Sequence, residues 1–298
     1  MLLIIAFAAG GVLAQPATPL RVGSKIDTEG RLLGNMIVLA LEAHGIKTVN
    51  KASLGNTQVM RGAITSGEID IYPEYTGNGS FLFAEPASPV WKNANAGYER
   101  VKALDYEKNR IVWLEPAPAN NAWSIAVRKD VATANKLKTM DDLGRWIASG
   151  GQFKLAASAE FAERSDALPA FQKAYGFTLK PGQILTLAGG DTAVTVRAAA
   201  EQTSGVNAAM AYGTDGPLAA LGLVIMEDTR AVQAVFAPAP IIREEALRKR
   251  PEIREVLARV FKTLDGPTLQ SLNAKIQLEG QDAKKVAGDF LKSRGLVK

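Results

Sequence analysis

Apolar and polar positions along the chain predict strands that alternate with helices. The apolar run at 20–24 predicts a first strand, and the helix after it ends at Gly45. A second strand is predicted at 46–49, and Asn56 or Thr57 begins the next helix. The residues predicted to form the apolar face of the first helix are Leu32, Leu33, Met36, Ile37, Ala40 and Leu41. The alternation favours a mostly parallel sheet with helices on both faces.

The segment from Gly67 to Gly79 is predicted to be a strand that ends in a binding loop. Gly67 ends a helix, 69–72 reads as a short buried strand, and Pro73 is expected to stop it. Tyr75 and the small residues at 76–79 follow, where the backbone can approach another group closely. Ligands bind at the carboxyl ends of strands in open α/β sheets, so this turn is a candidate ligand loop.

A second α/β run follows the Pro-rich segment at 115–121, which is predicted to cross between two lobes. It opens with a strand at 123–127 and contains a helix that begins at Thr139 with the spacing of a capping box. Further strands are predicted at 154–157, 184–187 and 208–212. A strand at 232–236 is predicted to cross back, and three helices between 251 and 292 to cover the first lobe.

The predicted architecture is therefore α/β, with two lobes, two crossovers and a cleft between the lobes. The first lobe is predicted to comprise residues 20–120 plus 233–298, and the second lobe residues 121–232. A length of 298 residues suits two lobes better than one. Both crossings are expected to lie side by side at the floor of the cleft.

The N-terminal residues and the overall composition indicate the cellular compartment and exclude some classes of partner. Residues 1–14 are apolar and small, and Val12-Leu13-Ala14 fits a signal-peptidase site, so they are predicted to be a cleaved signal peptide. That apolar run is too short to cross a bilayer, and the absence of cysteine leaves no lipoprotein attachment site. The expected location is the periplasm of a Gram-negative cell. A net charge of +5, spread evenly along the chain, argues against a nucleic-acid partner.

Catalytic chemistry is difficult to assemble from these residues. The single histidine, His44, lies at a helix end, where it is expected to contact the last carbonyls. The chain has no cysteine nucleophile and no phosphate-binding or nucleophile-elbow motif. Glu68, Asp70 and Glu74 are close in sequence, but a solvated or lysine-paired cluster explains them better than an acid–base pair. We therefore predict no enzyme activity, no cofactor and no metal site.

Four separated motifs, in this order, carry a resemblance to a known family. They are Val22-Gly23-Ser24-Lys25, Leu54-Gly55-Asn56-Thr57, Tyr75-Thr76-Gly77-Asn78-Gly79 and Ala211-Tyr212-Gly213-Thr214-Asp215-Gly216. Over residues 20–243 the chain resembles the substrate-binding proteins of osmoprotectant ABC importers, the receptors for glycine betaine, choline and carnitine. The resemblance implies a class II periplasmic binding protein fold, a betaine-like ligand, the transmembrane subunits of an importer as partner, and a monomer.

A quaternary ammonium group has no N–H to donate, so proteins hold it by cation–π contact and apolar packing. The resemblance implies an aromatic cage at four motif positions, Tyr75, Trp123, Tyr212 and Phe236. Tyr is usual in the family at the positions of Trp123 and Phe236. The cation–π surface is retained at both, while the hydroxyl groups and the cage dimensions change.

The ligand carboxylate requires the opposite chemistry, a basic fork or point charge. The resemblance places this clamp on Lys25 and Arg164, with Glu160 one helical turn before Arg164 to support it. Asn78 stands where the family usually has a small hydroxyl residue. The remaining predicted site residues are Asn121, which contacts the ligand, and Thr76, which supports the loop.

Three other functions stay open at this stage. The ligand could be another small zwitterion or amino-acid derivative, with weak affinity for osmolytes. An enzyme on this scaffold would need a nucleophile or a titrating pair in the cleft, and the sequence offers neither. A transcriptional effector domain would need a helix-turn-helix, and none precedes Leu20.

Overall fold

The computed structural model describes residues 18–187, 190–216 and 218–298. The predicted signal peptide at 1–14 lies outside the described residues. The strands are β1 Leu20–Lys25, β2 Thr48–Gly55, β3 Ile71–Tyr75, β4 Ile111–Trp113, β5 Trp123–Arg128, β6 Leu155–Ser158, β7 Ile184–Leu187, β8 Ala208–Tyr212, β9 Leu223–Ile225 and β10 Pro238–Arg243. The helices before the second sheet are α1 Thr28–Ala43, α2 Thr57–Thr65, α3 Gly79–Leu82 and α4 Ala94–Asn109.

The remaining helices divide between the two halves of the fold. Those associated with the second sheet are α5 Lys129–Ala134, α6 Met140–Ala148, α7 Ala159–Glu163, α8 Leu168–Tyr175 and α9 Thr192–Ala200. The C-terminal helices are α10 Glu244–Lys249, α11 Ile253–Phe261, α12 Gly266–Gln277 and α13 Ala283–Ser293. Within the described ranges, no helix has the length and apolarity that a membrane crossing requires.

The strands form two five-stranded sheets with matching topology. The first sheet has the order β2-β1-β3-β10-β4, and the second has the order β7-β6-β8-β5-β9. In each sheet three neighbouring strands run parallel, and one strand, β10 or β5, runs antiparallel to both of its neighbours. The predicted two-lobed, mostly parallel α/β architecture is therefore confirmed. We call the layers built on the two sheets the first and second lobes; the exact boundaries predicted for them stay a prediction.

Helix α1 is the central element of the first lobe. Its six predicted apolar residues have no exposed surface. It packs on β1 and β2 from one side and on α11, α12 and α13 from the other. The C-terminal helices therefore cover the first lobe as predicted, and the additional short helix α10 precedes them. His44 Nδ1 lies 2.8 Å from the carbonyl oxygen of Ala40, as its place at the helix end predicts.

The expected end of β3 at Pro73 is wrong, because the strand runs through the proline to Tyr75. Pro73 faces Pro240 across the antiparallel β3–β10 pair. The N–H of Thr76 donates to the oxygen of Ala237 at 3.0 Å, so the hydrogen-bonded pairs alternate and Pro73 falls on a non-hydrogen-bonded position. A proline there removes no hydrogen bond from the β3–β10 ladder. The strand therefore delivers Tyr75 at its carboxyl end.

The predicted return strand at 232–236 is also wrong, because the strand that rejoins the first sheet is β10, which begins at Pro238. The residues before β10 are extended and pair with the first crossing instead of a sheet. Asn121 N donates to the oxygen of Phe236 at 2.9 Å, and Ala117 N donates to the oxygen of Pro238 at 2.8 Å. The two crossings therefore lie side by side, as expected.

The capping box predicted at Thr139 is confirmed, and two further helix ends in the second lobe are also capped. Thr139 Oγ1 accepts from the N–H of Asp142 at 3.1 Å, and Asp142 Oδ2 accepts from the N–H of Thr139 at 3.0 Å, which completes the capping box of α6. Asp191 caps α9 through the N–H of Ala193. Gly176 ends α8 with a φ of 69°, a left-handed conformation that favours glycine.

Candidate ligand-binding site

One small cavity lies between the two sheets, at the carboxyl ends of their strands. Its lining comes from both lobes and both crossings. The lining residues are Lys25, Ile26, Asp27, Gly55, Asn56, Thr57, Tyr75, Asn78, Asn121, Trp123, Glu160, Gly190, Tyr212 and Phe236. Eight of the ten predicted site residues are among them. The other two, Thr76 and Arg164, lie behind the cavity wall.

Trp123 is the centre of an aromatic group. Its ring centroid lies 6.5 Å from that of Tyr212 with an interplanar angle of 23°, and 5.6 Å from that of Phe236 at 58°. Trp123 and Tyr212 are opposite residues of the antiparallel β5–β8 pair, which explains why their rings stack. Phe161 closes the group from the far side at 5.8 Å. The indole Nε1 of Trp123 is buried without a hydrogen-bond partner among the described atoms.

Phe236 owes its position to the crossings and to a glycine. Its N–H donates to Asn120 Oδ1 at 2.8 Å, and its carbonyl accepts from Asn121. A Cβ on Gly77 would lie only 2.8 Å from the Phe236 ring, so a side chain there would displace the ring. The small residues after β3 therefore let Phe236 approach the loop closely.

Tyr75 reaches the same cavity from the end of β3. We call Tyr75, Trp123, Tyr212 and Phe236 the aromatic cage, since all four line one cavity. Thr76 fixes the turn after β3, because its hydroxyl donates to the oxygen of Val235 at 2.9 Å and accepts from the N–H of Ala237 at 3.0 Å.

Lys25 lies at the cavity in a buried ion pair. Its Nζ is 2.7 Å from Glu74 Oε1 and 4.9 Å from the centroid of the Tyr75 ring. Glu74 Oε1 also accepts from Asn78 Nδ2 at 2.7 Å, and Oε2 accepts from the hydroxyl of Tyr72 at 2.8 Å. Burial alone would raise the pKa of Glu74, but the Lys25 ammonium and these hydrogen bonds hold that pKa below its usual value.

Arg164 stacks on the outside of Trp123, with its guanidinium carbon 4.5 Å from the ring centroid. Its guanidinium donates to three acceptors: Asn78 Oδ1 at 2.9 Å, Glu160 Oε1 at 2.9 Å, and Asp166 at 2.8 and 3.0 Å. Glu160 supports Arg164 as the one-turn spacing predicts. Arg164 does not line the cavity, so its predicted contact with the ligand stays a prediction.

Two carboxylates of α1 belong to the site without having been predicted as site residues. Asp27, which caps α1, lines the cavity, and burial raises its pKa. Glu29 is buried two residues further along, in the first turn of α1, where its Oε1 accepts from the Tyr75 hydroxyl at 3.0 Å and from Asn121 Nδ2 at 3.1 Å. The sequence shows only a helix N-terminus here. Burial of a first-turn glutamate depends on α12, whose Asn273 covers Glu29 Oε2 at 2.7 Å.

The lobes also touch at the rim of the cavity. Asp191, at the start of α9, accepts from Thr28 Oγ1 at 3.0 Å and from Arg31 Nη2 at 3.1 Å, both on α1. In a second contact, Ser80 Oγ donates to Asp166 Oδ2 at 3.0 Å. Polar side chains therefore connect the two lobes at two separate places.

Comparison with known proteins identifies the family. Residues 18–293 match the family described as the substrate-binding domain of the ABC-type glycine betaine transport system. The chain belongs to this family. Among the described residues, no group of three or more metal-ligating side chains lies where it could hold an ion.

Individual relatives match over almost the whole chain. The glycine betaine-binding protein YehZ of Escherichia coli is 62% identical over 295 residues, which cover 99% of this chain and 97% of that protein. A glycine-betaine-binding protein of Pseudomonas aeruginosa is 32% identical over 297 residues, which cover 98% and 92%. The solved apo structure of the E. coli protein aligns with a TM-score of 0.69 at 64% identity. The alignment covers 94% of this chain and 100% of the E. coli chain.

More distant structures share the fold. A glycine betaine/carnitine/choline ABC transporter structure aligns with a TM-score of 0.71 at 21% identity, covering 93% of this chain and 99% of that one. The closed form of lactococcal OpuAC with glycine betaine aligns at 0.61 and 12% identity, covering 93% and 96%. The family and these folds agree with the resemblance that the sequence motifs carry.

Proposed function

We propose that the chain is a periplasmic receptor that binds glycine betaine, or a closely similar quaternary-ammonium osmolyte, and delivers it to an ABC importer. The observation that carries this proposal is the convergence of four aromatic residues, from β3, β5, β8 and the second crossing, on one cavity. Membership of the family and the names of the two relatives support it. We further propose a cleaved signal peptide at 1–14, lobes divided as 20–120 plus 233–298 and 121–232, and a monomeric receptor that releases its ligand chemically unchanged.

The aromatic cage holds the ammonium end of the ligand. The methyl groups of the ligand pack on the faces of Trp123 and Tyr212, whose stacked rings have their centroids 6.5 Å apart. Each desolvated ring contributes on the order of 0.5–2 kcal/mol of cation–π attraction. Arg164 lies on Trp123 from outside the cavity, so it leaves the inner side of the indole to the ligand.

The carboxylate end of the ligand lies toward Lys25 and Asn78. The Lys25 ammonium has three N–H donors, of which Glu74 occupies one at 2.7 Å, so it can still donate to a ligand oxygen. The unpartnered indole N–H of Trp123 is a second donor available to the ligand. Arg164 contributes by holding Asn78 and Glu160 in place at the cavity wall.

A second candidate is a small zwitterion whose ammonium carries N–H groups, such as an amino-acid derivative. Asp27 and Glu160 favour it, since two carboxylates in the lining would be acceptors for those N–H groups. A trimethylated ammonium has no N–H to donate to either carboxylate, so it interacts with them only through its charge.

The test is isothermal calorimetry of the purified protein with glycine betaine, choline, carnitine, proline and a panel of amino acids. We expect saturable heat with glycine betaine and weaker binding of choline, whose hydroxyl replaces the carboxylate. Saturable binding of an amino acid with no binding of any quaternary ammonium would replace the proposal by the second candidate.

A further inference from the structure

Glu29 is a buried carboxylate directly behind the cage that the proposed binding mode leaves unused. It is 4% exposed and does not line the cavity, yet two of its partners, Tyr75 and Asn121, do. Its third partner is Asn273 on α12, whose Nδ2 lies 2.7 Å from Oε2. Glu29 therefore binds two residues that line the cavity, Tyr75 and Asn121, and connects both to Asn273 of α12, one of the C-terminal helices that cover the first lobe.

The same group of side chains reaches the second lobe. Asn121 Nδ2 also donates to the hydroxyl of Thr214, in the turn after β8, and Asn273 Nδ2 donates to the carbonyl of Thr214 at 3.1 Å. The carboxylate is thus placed where a crossing, the cover and both lobes meet.

No cation is paired with Glu29. Its hydrogen-bond donors in the described ranges are the phenol of Tyr75, two amides and the hydroxyl of Thr214, all neutral. Two other buried carboxylates, Glu74 and Asp105, are paired with Lys25 at 2.7 Å and with Arg61 at 2.7 Å. Asp215, like Glu29, has only neutral donors among the described residues. An isolated buried charge is unfavourable until a counter-charge arrives.

The surroundings of the Glu29–Tyr75 pair are more acidic than basic. The ionisable groups nearest to it along the surrounding elements are Lys25 at the end of β1, Asp27 at the start of α1, Tyr212 at the end of β8 and Asp215 in the turn after it. Helix α1 also carries Arg31, which is paired with Asp191, and α12 carries the exposed Lys275. Helix α12 contributes the neutral Asn273. Lys25 is already paired with Glu74, so the acidic charge near Tyr75 is left without a partner.

We propose that Glu29 is the counter-charge and positioning residue of the aromatic cage. Ionised, it holds the Tyr75 hydroxyl and supplies the negative charge that a bound quaternary ammonium meets across the Tyr75 ring. A charged acceptor also polarises the phenol, which makes the ring face more attractive to a cation. The inference deepens the proposed function and rests on it.

Ligand binding then exchanges a proton. Burial raises the pKa of Glu29 to about 7, although hydrogen bonds from Asn273 and Tyr75 oppose the rise. A bound cation favours the ionised carboxylate and lowers this pKa, so binding releases a proton to solvent. Affinity is therefore full above the pKa of the free protein and is lost as the pH falls through it.

The experiment uses tetramethylammonium, which has no carboxylate and does not titrate. Its dissociation constant is measured by calorimetry from about pH 5.5 to about pH 8.5, in two buffers of different ionisation enthalpy that report proton release. We expect several-fold weaker binding at the acidic end, with up to about tenfold for each pKa unit that the cation displaces. Glu29→Gln should bind with the low affinity of the acidic wild type, without pH dependence and without proton release.

Asp215→Asn is the matched control, since it neutralises a neighbouring buried carboxylate outside the cavity lining while keeping an acceptor for the N–H of Tyr212. This variant should retain the pH dependence. Tyr75→Phe should reduce it, because the link from Glu29 to the ring is removed.

The outcomes separate the two proposals. Binding without pH dependence in the wild type, or a full pH dependence in Glu29→Gln, overturns the role of Glu29 alone. An unchanged dependence in Tyr75→Phe overturns the action through Tyr75. If the wild type binds neither tetramethylammonium nor glycine betaine at any pH, the proposed function fails and this inference falls with it.

Discussion

Both basic side chains of the predicted clamp are engaged by carboxylates of the protein itself. Lys25 pairs with Glu74, and Arg164 pairs with Glu160 and Asp166. A ligand carboxylate must therefore share Lys25 instead of meeting a free cation. In the proposed binding mode we therefore expect the aromatic surface, more than the basic residues, to supply most of the binding energy.

Substitutions of Trp123 test whether the aromatic surface contributes more binding energy than the basic residues do. Trp123→Ala should weaken binding of glycine betaine by about 1–3 kcal/mol, because it removes packing and cation–π contact together. Trp123→Tyr should cost much less, since a ring remains opposite Tyr212. Calorimetry on both variants, with melting temperatures measured in parallel, checks this. Equal losses of affinity and of melting temperature would instead make Trp123 a core residue.

Arg164 carries a prediction about stability as well as binding. Its side chain is 5% exposed, and Arg164→Ala leaves two carboxylates without their cation. We expect a loss of about 3–5 kcal/mol in the free energy of unfolding, measured by urea titration. Arg164→Lys should recover only part, because an ammonium cannot reproduce the planar fork.

The clamp role of Arg164 has a separate readout. If Arg164 also orients the ligand carboxylate, Arg164→Lys should reduce the preference for glycine betaine over choline in calorimetry. A destabilised variant that keeps the full preference would restrict Arg164 to supporting the wall through Asn78 and Glu160.

The four cage residues could be predicted because the motifs resemble those of a known family, and each residue lies at the end or start of a strand or at a crossing. The motifs could not reveal the burial of Glu29, because it depends on contacts between distant segments, such as that of Asn273 with Glu29 across 244 positions. Local periodicity carries no information about such contacts.

At the scale of elements, helix caps were predictable and strand register was not. The capping box at Thr139 depends on four consecutive residues. Strand β3 can continue through Pro73 because of its register with β10, a strand far away in sequence. Pro240 of β10 lies opposite Pro73 at a non-hydrogen-bonded position. Proline signals a strand end only where the ladder needs its N–H.

The starts of α1 and α9 form a tie between the lobes that can be tested. Asp191→Asn keeps the cap of α9 but loses the charge contact with Arg31, whose side chain is 33% exposed. We expect a loss of about 0.2–1 kcal/mol in ligand affinity, visible as faster dissociation in stopped-flow tryptophan fluorescence. In a double-mutant cycle with Arg31→Ala, a coupling energy of zero would show that the pair does not contribute to closure.

At the scale of the whole molecule, buried acids make stability depend on pH. Burial raises the pKa of Glu29 to about 7 and that of Asp215 to about 6. The unfolded chain ionises both at lower pH than the folded protein does, so stability is lost as the pH rises through these values. The melting temperature should fall between about pH 5 and pH 7, above the unfolded pKa values and up to the folded ones, and Glu29→Gln should reduce that fall. A rising melting temperature over this range would contradict the burial of both acids.

The most direct test of the proposed aromatic cage compares ligands that differ only in the number of methyl groups on their nitrogen. Calorimetry compares glycine betaine with dimethylglycine, sarcosine and glycine, which share the carboxylate and differ only in the methyl groups on nitrogen. The structure predicts that affinity falls at each step, because every N–H that replaces a methyl group loses apolar packing and cation–π contact and gains a hydration shell. Glycine binding as tightly as glycine betaine would contradict the account.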